Sequence, residues 1–144
     1  MENRYLGREE APFGAGTWKL LDNTMIEAAK SQLAGRRIIA IDGPFGFGLK
    51  VIPLSDCDLE DGISGSSFIP VNEIRSEFNL GKRDLASFEK DKLILDMGPV
   101  ACAAIDCAAK EDQIIFHGIQ GSMGLLTAEG SSSQTLTKWD KIGT

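Results

Sequence analysis

The chain predicts an α+β fold in which helices and strands occupy separate stretches rather than alternating. Three observations lead there. An apolar stripe at helical spacing runs from Thr17 to Ala34. A period of two, the mark of a pleated strand, runs from Asn72 to Leu80. An alanine-rich run of strong helix formers extends from Val100 to Phe116. The 144 residues suit one domain or a piece of a larger one, and a hydrophobic fraction of 42% argues against wholesale disorder.

Residues 1–16 are rich in Gly, Pro and charge and read as an extended N-terminal arm. Thr17 is the expected N-cap of the first helix. Trp18, Leu21, Met25, Ala29 and Leu33 form its stripe, and Gly35 is its natural terminator. Arg36 to Asp42 is β-branched enough to predict a strand, so that residues 17–55 hold a helix and the first strands. The Gly-rich stretch from Gly43 to Lys50 invites a phosphate-loop reading. It lacks both the Lys-Ser/Thr pair and the following helix, so its glycines serve turns. Asp56, Asp58, Glu60 and Asp61 fit a Ca²⁺ loop poorly and read as a solvated loop.

Residues 56–95 are expected to form a long β-excursion. In it Ile74, Phe78 and Leu80 lie on one side of a strand, and Glu73, Arg75, Glu77 and Asn79 on the other. Gly81 to Asp84 reads as its turn, and Lys92 to Leu95 as its returning strand. A lone hairpin is marginally stable in water, so one with an apolar side needs something to lie on. Residues 96–144 begin with the second helix, capped by Asp96, with Pro99 in its first turn and Gly118 as its stop. Thr135 to Thr144 reads as the start of a further element with Thr137 as its cap, as if the chain were cut or split there.

Charge and composition exclude several functions. A net charge of -6 disfavours non-specific nucleic-acid binding. There is no run of about 18 apolar residues to span a bilayer and no secretory pattern at the N-terminus, which makes cytoplasmic residence the default expectation. Three cysteines make no disulfide framework, and Cys102 and Cys107 with the single His117 give no metal-ligand spacing. No Gly-x-Ser-x-Gly elbow is present, and any hydrolase chemistry would have to be drawn from Ser122 and His117. No enzyme, no metal and no cofactor are expected.

One ordered set of motifs carries more. The Ala11-Pro12-Phe13 arm precedes the helix with Trp18. Then come Gln32 to Arg37, Asp42-Gly43-Pro44-Phe45-Gly46, Pro70 to Leu80, Asp112 to Gly118, and Gly124-Leu125-Leu126. Taken together, these resemble the N-terminal half of the encapsulin shell proteins, once labelled linocin-type bacteriocins. The resemblance implies the tailed-phage major capsid fold without its axial domain. The N-terminal helix would line the shell interior, and residues 68–95 would match much of the extended loop that pairs with a neighbouring subunit. Residues 98–118 would be the spine helix of the peripheral domain. It implies an icosahedral homo-oligomer that encloses cargo, such as a ferritin-like protein or a dye-decolourising peroxidase, through a short C-terminal peptide.

By the same resemblance the cargo groove falls on Arg36, Ile38 and Ala40, with Ala29 and Leu33 of the preceding helix. Ala40 stands where some members carry Asp. The inter-subunit loop falls on Glu73, Ile74, Arg75, Phe78 and Leu80. Lys82-Arg83-Asp84 offers no Trp to stack on a flavin, so none is expected. A complementary C-terminal chain, or the remainder of a longer one, would supply the axial domain. A prophage major capsid protein is the alternative within the same fold, ahead of a small hydrolase and a small-molecule binding module.

Overall fold

The computed structural model describes residues 4–136. Two helices form its centre. Helix α1 spans Ala15–Gln32 and helix α3 spans Gly98–His117, and they pack along each other. Leu21 on α1 and Val100 and Ala108 on α3 are buried, with Leu95 and Thr17 beside them. Of the stripe read from Trp18 to Leu33, Leu21 is buried and Met25, Ala29 and Leu33 line a groove shared with α3.

The ends of α1 are fixed by carboxylates from distant parts of the chain. At the start, Gly14 N–H and the Thr17 hydroxyl both donate to Glu89 Oε1, at 2.7 and 2.9 Å. Thr17 thus lies inside the helix, and Gly14 is the N-cap residue. At the end, the N–H groups of Ala34 and Gly35 donate to the two oxygens of Asp112 on α3, at 2.8 and 2.9 Å. Gly35 is needed there because a Cβ would sit 2.7 Å from Ile115 Cδ1.

Several expectations are corrected. The arm is not extended: Arg4–Leu6 and Arg8–Glu10 are 3₁₀ turns folded back on α1. Arg8 grips Asp22 through two 2.7 Å hydrogen bonds and lies 4.6 Å over the Trp18 ring, which also meets Phe13 at 4.9 Å. Arg36–Asp42 is no strand. Gly35–Arg37 is a 3₁₀ turn that the Asp112 clamp pulls tight, and among the described residues no strand pairs with Ile38 to Asp42.

The hairpin lies upstream of its expected place. Strand β1 (Val51–Glu60) pairs antiparallel with β2 (Ile63–Pro70) around Asp61-Gly62, and Gly62 has φ +79°. An Asp-Gly pair between strands is the strongest short hairpin signal, and it makes a strand of the stretch expected as an acidic loop. Register shifts interrupt the ladder between Pro53 and Asp56 and again between Asp58 and Glu60. All ten residues of β1 are exposed. The turn expected at Gly81–Asp84 instead opens helix α2 (Lys82–Asp91), and Lys92–Leu95 is not a strand. Leu85, Phe88 and Glu89 form the inward side of α2, at helical spacing.

The boundaries of α3 come out close to expectation. Asp96 accepts a 2.8 Å bond from Gly98 N–H, and Pro99 stands in the first turn. The helix stops at Gly118, whose φ is +76°. The chain then doubles back, and Leu125 and Leu126 donate to the carbonyls of Ile115 and Phe116. The element expected from Thr137 lies outside the described residues.

Candidate functional site

A groove of about 500 Å³, lined mostly by apolar side chains, lies between α1, the extended stretch 74–78 and α3. Met25, Ile26, Ala29 and Leu33 form the α1 wall, and Ile74 and Phe78 the wall opposite. Ala103, Ala104, Cys107 and Ala108 make a floor of small side chains, which lets a ligand approach the α3 backbone closely. Two mechanisms hold these walls apart. The Asp112 clamp sets where α1 leaves α3, and Lys110 anchors the extended stretch by donating to the Arg75 carbonyl at 3.3 Å.

Charge stands only at the rim, and it is paired. Arg36 meets Glu111 through two bonds, Nε to Oε1 at 2.5 Å and Nη2 to Oε2 at 2.7 Å. That bidentate hydrogen bond raises the Arg36 pKa further, against a smaller effect of burial. Lys30 pairs with Glu27 at 3.3 Å. Below the extended stretch Asp106 is held under the ordinary carboxylate range, first by its hydrogen bond from Lys110 and then by one from Ser76.

The expected groove residues divide. Ala29, Leu33 and Arg36 share the groove. Ala40 lines a neighbouring cavity of about 600 Å³, which shares Arg36 and Glu111 with the first. Ile38 is 65% exposed and lines neither cavity. Glu73, Ile74, Arg75, Phe78 and Leu80 lie on the extended stretch beside α3 rather than on the hairpin, and Ile74 and Phe78 turn into the groove. Met25, Ile26 and the α3 floor are lining residues that sequence reasoning misses, although the helical spacing of Met25 and Ala29 carries the signal.

His117 and Ser122 line one shallow cavity, whose lining supplies no carboxylate to orient the imidazole. Among the described residues no group of three His, Cys, Asp or Glu side chains could hold a metal ion, and no helix is long and apolar enough to cross a membrane.

Known proteins share this sequence over nearly its whole length. A family profile described as encapsulating protein for peroxidase matches residues 2–143. A type 1 encapsulin shell protein of Myxococcus xanthus is 31% identical over 159 positions, covering 96% of this chain and 54% of the relative. A type 1 encapsulin shell protein of Rhodococcus erythropolis is 31% identical, covering 90% of this chain and 52% of the relative. A diheme-cytochrome–encapsulin shell fusion protein of Kuenenia stuttgartiensis is 29% identical, covering 88% and 39%. The chain thus spans about half the length of the curated relatives it matches. With its mixed α/β architecture, and with nearly the whole sequence inside the profile, the chain belongs to the encapsulin family of structural shell proteins, which are not enzymes.

Proposed function

We infer that this chain forms the inner wall and the subunit-joining arm of an encapsulin-type shell, a self-assembling icosahedral nanocompartment. In this reading the groove between α1 and α3 docks a short targeting peptide on the cargo enzyme, and the β1–β2 hairpin reaches a neighbouring subunit. Arg36, Ala29 and Leu33 border the dock, with Ala40 in the adjoining cavity. The rest of the subunit, including the axial domain, is supplied by a remainder of the kind the longer relatives carry.

The single observation that carries the reading is the open groove, with its small-residue floor and its charges already paired. The hairpin supports the same reading. Its β1 strand covers nothing within the described residues, yet it carries Val51, Ile52, Leu54 and Leu59. Unpartnered apolar faces of this kind are interaction surfaces, and heterologous contacts repeated around symmetry axes close into shells.

The test is co-expression of the protein, in its full native reading frame, with a fluorescent protein that carries the C-terminal peptide of a neighbouring cargo gene. Sedimentation and negative-stain microscopy should give closed particles with co-sedimenting fluorescence. Ala104→Leu, which fills the groove floor, should keep the particles and lower the fluorescence at least tenfold. A compact monomer, or loading that Ala104→Leu leaves intact, would contradict the reading.

A further inference from the structure

Helix α1 begins without a cap of its own. Gly14, its N-cap residue, has no side chain to offer, and the first turn holds no acidic residue. The start of a helix leaves backbone N–H groups without partners and carries a partial positive charge. Glu89 meets both needs from 75 residues along the chain, with one oxygen accepting from Gly14 N–H and from the Thr17 hydroxyl. The Thr17 side chain is only 2% exposed, so withdrawing Glu89 strands its hydroxyl in the interior without that acceptor.

The same carboxylate ties α2 down. Among the described residues no other hydrogen bond or ion pair joins residues 82–91 to any part of the chain outside 81–93. Gly81 opens α2, and Lys92 closes it in the left-handed region at φ 57°, with its Nζ donating to the Glu89 carbonyl at 2.8 Å. Glu89 thus closes one helix with its carbonyl and opens another with its carboxylate. On the α1 side the contacts run on into the arm. The Gly14 carbonyl accepts from Thr17 and Trp18 N–H at 3.1 and 3.2 Å. Trp18 Nε1 donates to the Arg8 carbonyl at 3.3 Å, and its ring meets Phe13 and the Arg8 guanidinium.

We propose that Glu89 is a positioning residue that makes the seat of α2, the first turn of α1 and the N-terminal arm one cooperative unit, which forms and opens together. The loop between the hairpin and α3 cannot lift its α2 end without orphaning Gly14 N–H and the buried Thr17 hydroxyl. Loss of that first turn loosens Trp18, on which the arm lies. The dependence runs both ways, because a coupling free energy is reciprocal. The far end of α1 lies outside the unit, since Asp112 of α3 clamps it separately. Every contact in the unit is made within this chain, whatever covers its outer surfaces.

The test is native-state amide hydrogen exchange on the protein in its full native reading frame, read by mass spectrometry for wild type, Thr17→Val, Glu89→Ala and Glu89→Gln. Thr17→Val replaces the hydroxyl by a methyl group of similar volume. It should speed exchange across α2, from Ala86 to Asp91, about tenfold, the effect of losing one bond to a charged acceptor. Glu89→Ala should speed Thr17 and Trp18, and Glu10 and Ala11 of the arm, by about tenfold or more. Ala34, Gly35 and the α3 amides from Asp106 to Lys110 should change less than about twofold in either variant, because they lie outside the unit. Glu89→Gln keeps an acceptor oxygen and should fall between wild type and Glu89→Ala; it carries the test if Glu89→Ala does not fold. If Thr17→Val leaves α2 at its wild-type rates, Glu89 is a helix cap and nothing more, and the coupling is overturned. If the variants speed Ala34, Gly35 and α3 as much as the start of α1, the loss is global and the separate unit is overturned. Wild-type α2 amides that exchange at the rates of unstructured chain overturn it too.

Discussion

Gly124→Ala should disrupt the turn after α3, because a methyl group added there meets backbone on every side. Gly124 is buried where the chain crosses back over the end of the helix. A Cβ there would collide with Gly118 N and sit 2.6 Å from the carbonyl carbons of both Phe116 and His117. These are backbone atoms and cannot rotate aside, so the crossing must open. Opening it removes the bonds from Leu125 N to Ile115 O (2.8 Å) and from Leu126 N to Phe116 O (2.9 Å), and strains the reciprocal pair between Ile119 and Ser122. At about 1 kcal/mol net for each of these bonds the cost is roughly 3–4 kcal/mol. Urea denaturation followed by circular dichroism measures it, and amide exchange at Leu125 and Leu126 localises it. The matched control is Gly16→Ala in the first turn of α1, where a Cβ meets nothing within 4 Å. It should stabilise by about 0.5 kcal/mol through helix propensity. If Gly124→Ala leaves the urea midpoint and both exchange rates at their wild-type values, the close crossing does not exist and the reasoning fails.

Other outcomes rest on the same contacts. Leu21→Ala removes a side chain only 1% exposed between α1 and α3 and should cost about 2–5 kcal/mol in the same denaturation assay. A double-mutant cycle on Arg36→Ala and Glu111→Ala should give a coupling of only about 0.5–1 kcal/mol, because the pair is partly exposed. The Glu89 carboxyl is held below its ordinary range, first by the Gly14 N–H and then by the Thr17 hydroxyl. Its contribution to stability is therefore complete above the usual glutamate pKa and is lost as pH falls through the lower folded value. Glu89→Gln should flatten that acid limb in a pH series of thermal melts, and an unchanged limb would contradict the clamp.

The two long helices are legible in the sequence because each signal for them is local. Pro99 and Gly118 bound α3 through their own backbone preferences, and the Leu21 stripe needs only a period of 3.6. The alternation at 72–80 is a true burial pattern, but it holds against a helix rather than within a sheet, which sequence period alone cannot distinguish. The hairpin lies earlier than its expected place because Asp56, Asp58 and Glu60 look like a loop and β1 has no buried face to impose alternation on it. The strand expected at Arg36–Asp42 fails for the opposite reason. Its isoleucines favour extension, but β-propensity counts only when a neighbour supplies a ladder. Of the groove, α1 supplies Ala29 and Leu33 through helical spacing, whereas the α3 floor depends on how two distant helices cross.

The uneven ladder of the hairpin has one more effect. A long exposed pair of strands with straight outer rims would accept copy after copy and grow into fibres. Here Pro53 withholds a donor, two irregularities twist the ribbon out of plane, and Asp56, Asp58, Glu60 and Asp61 crowd negative charge towards the tip. Such an arm repels its own kind end to end, so its long exposed edges resist pairing with copies of themselves.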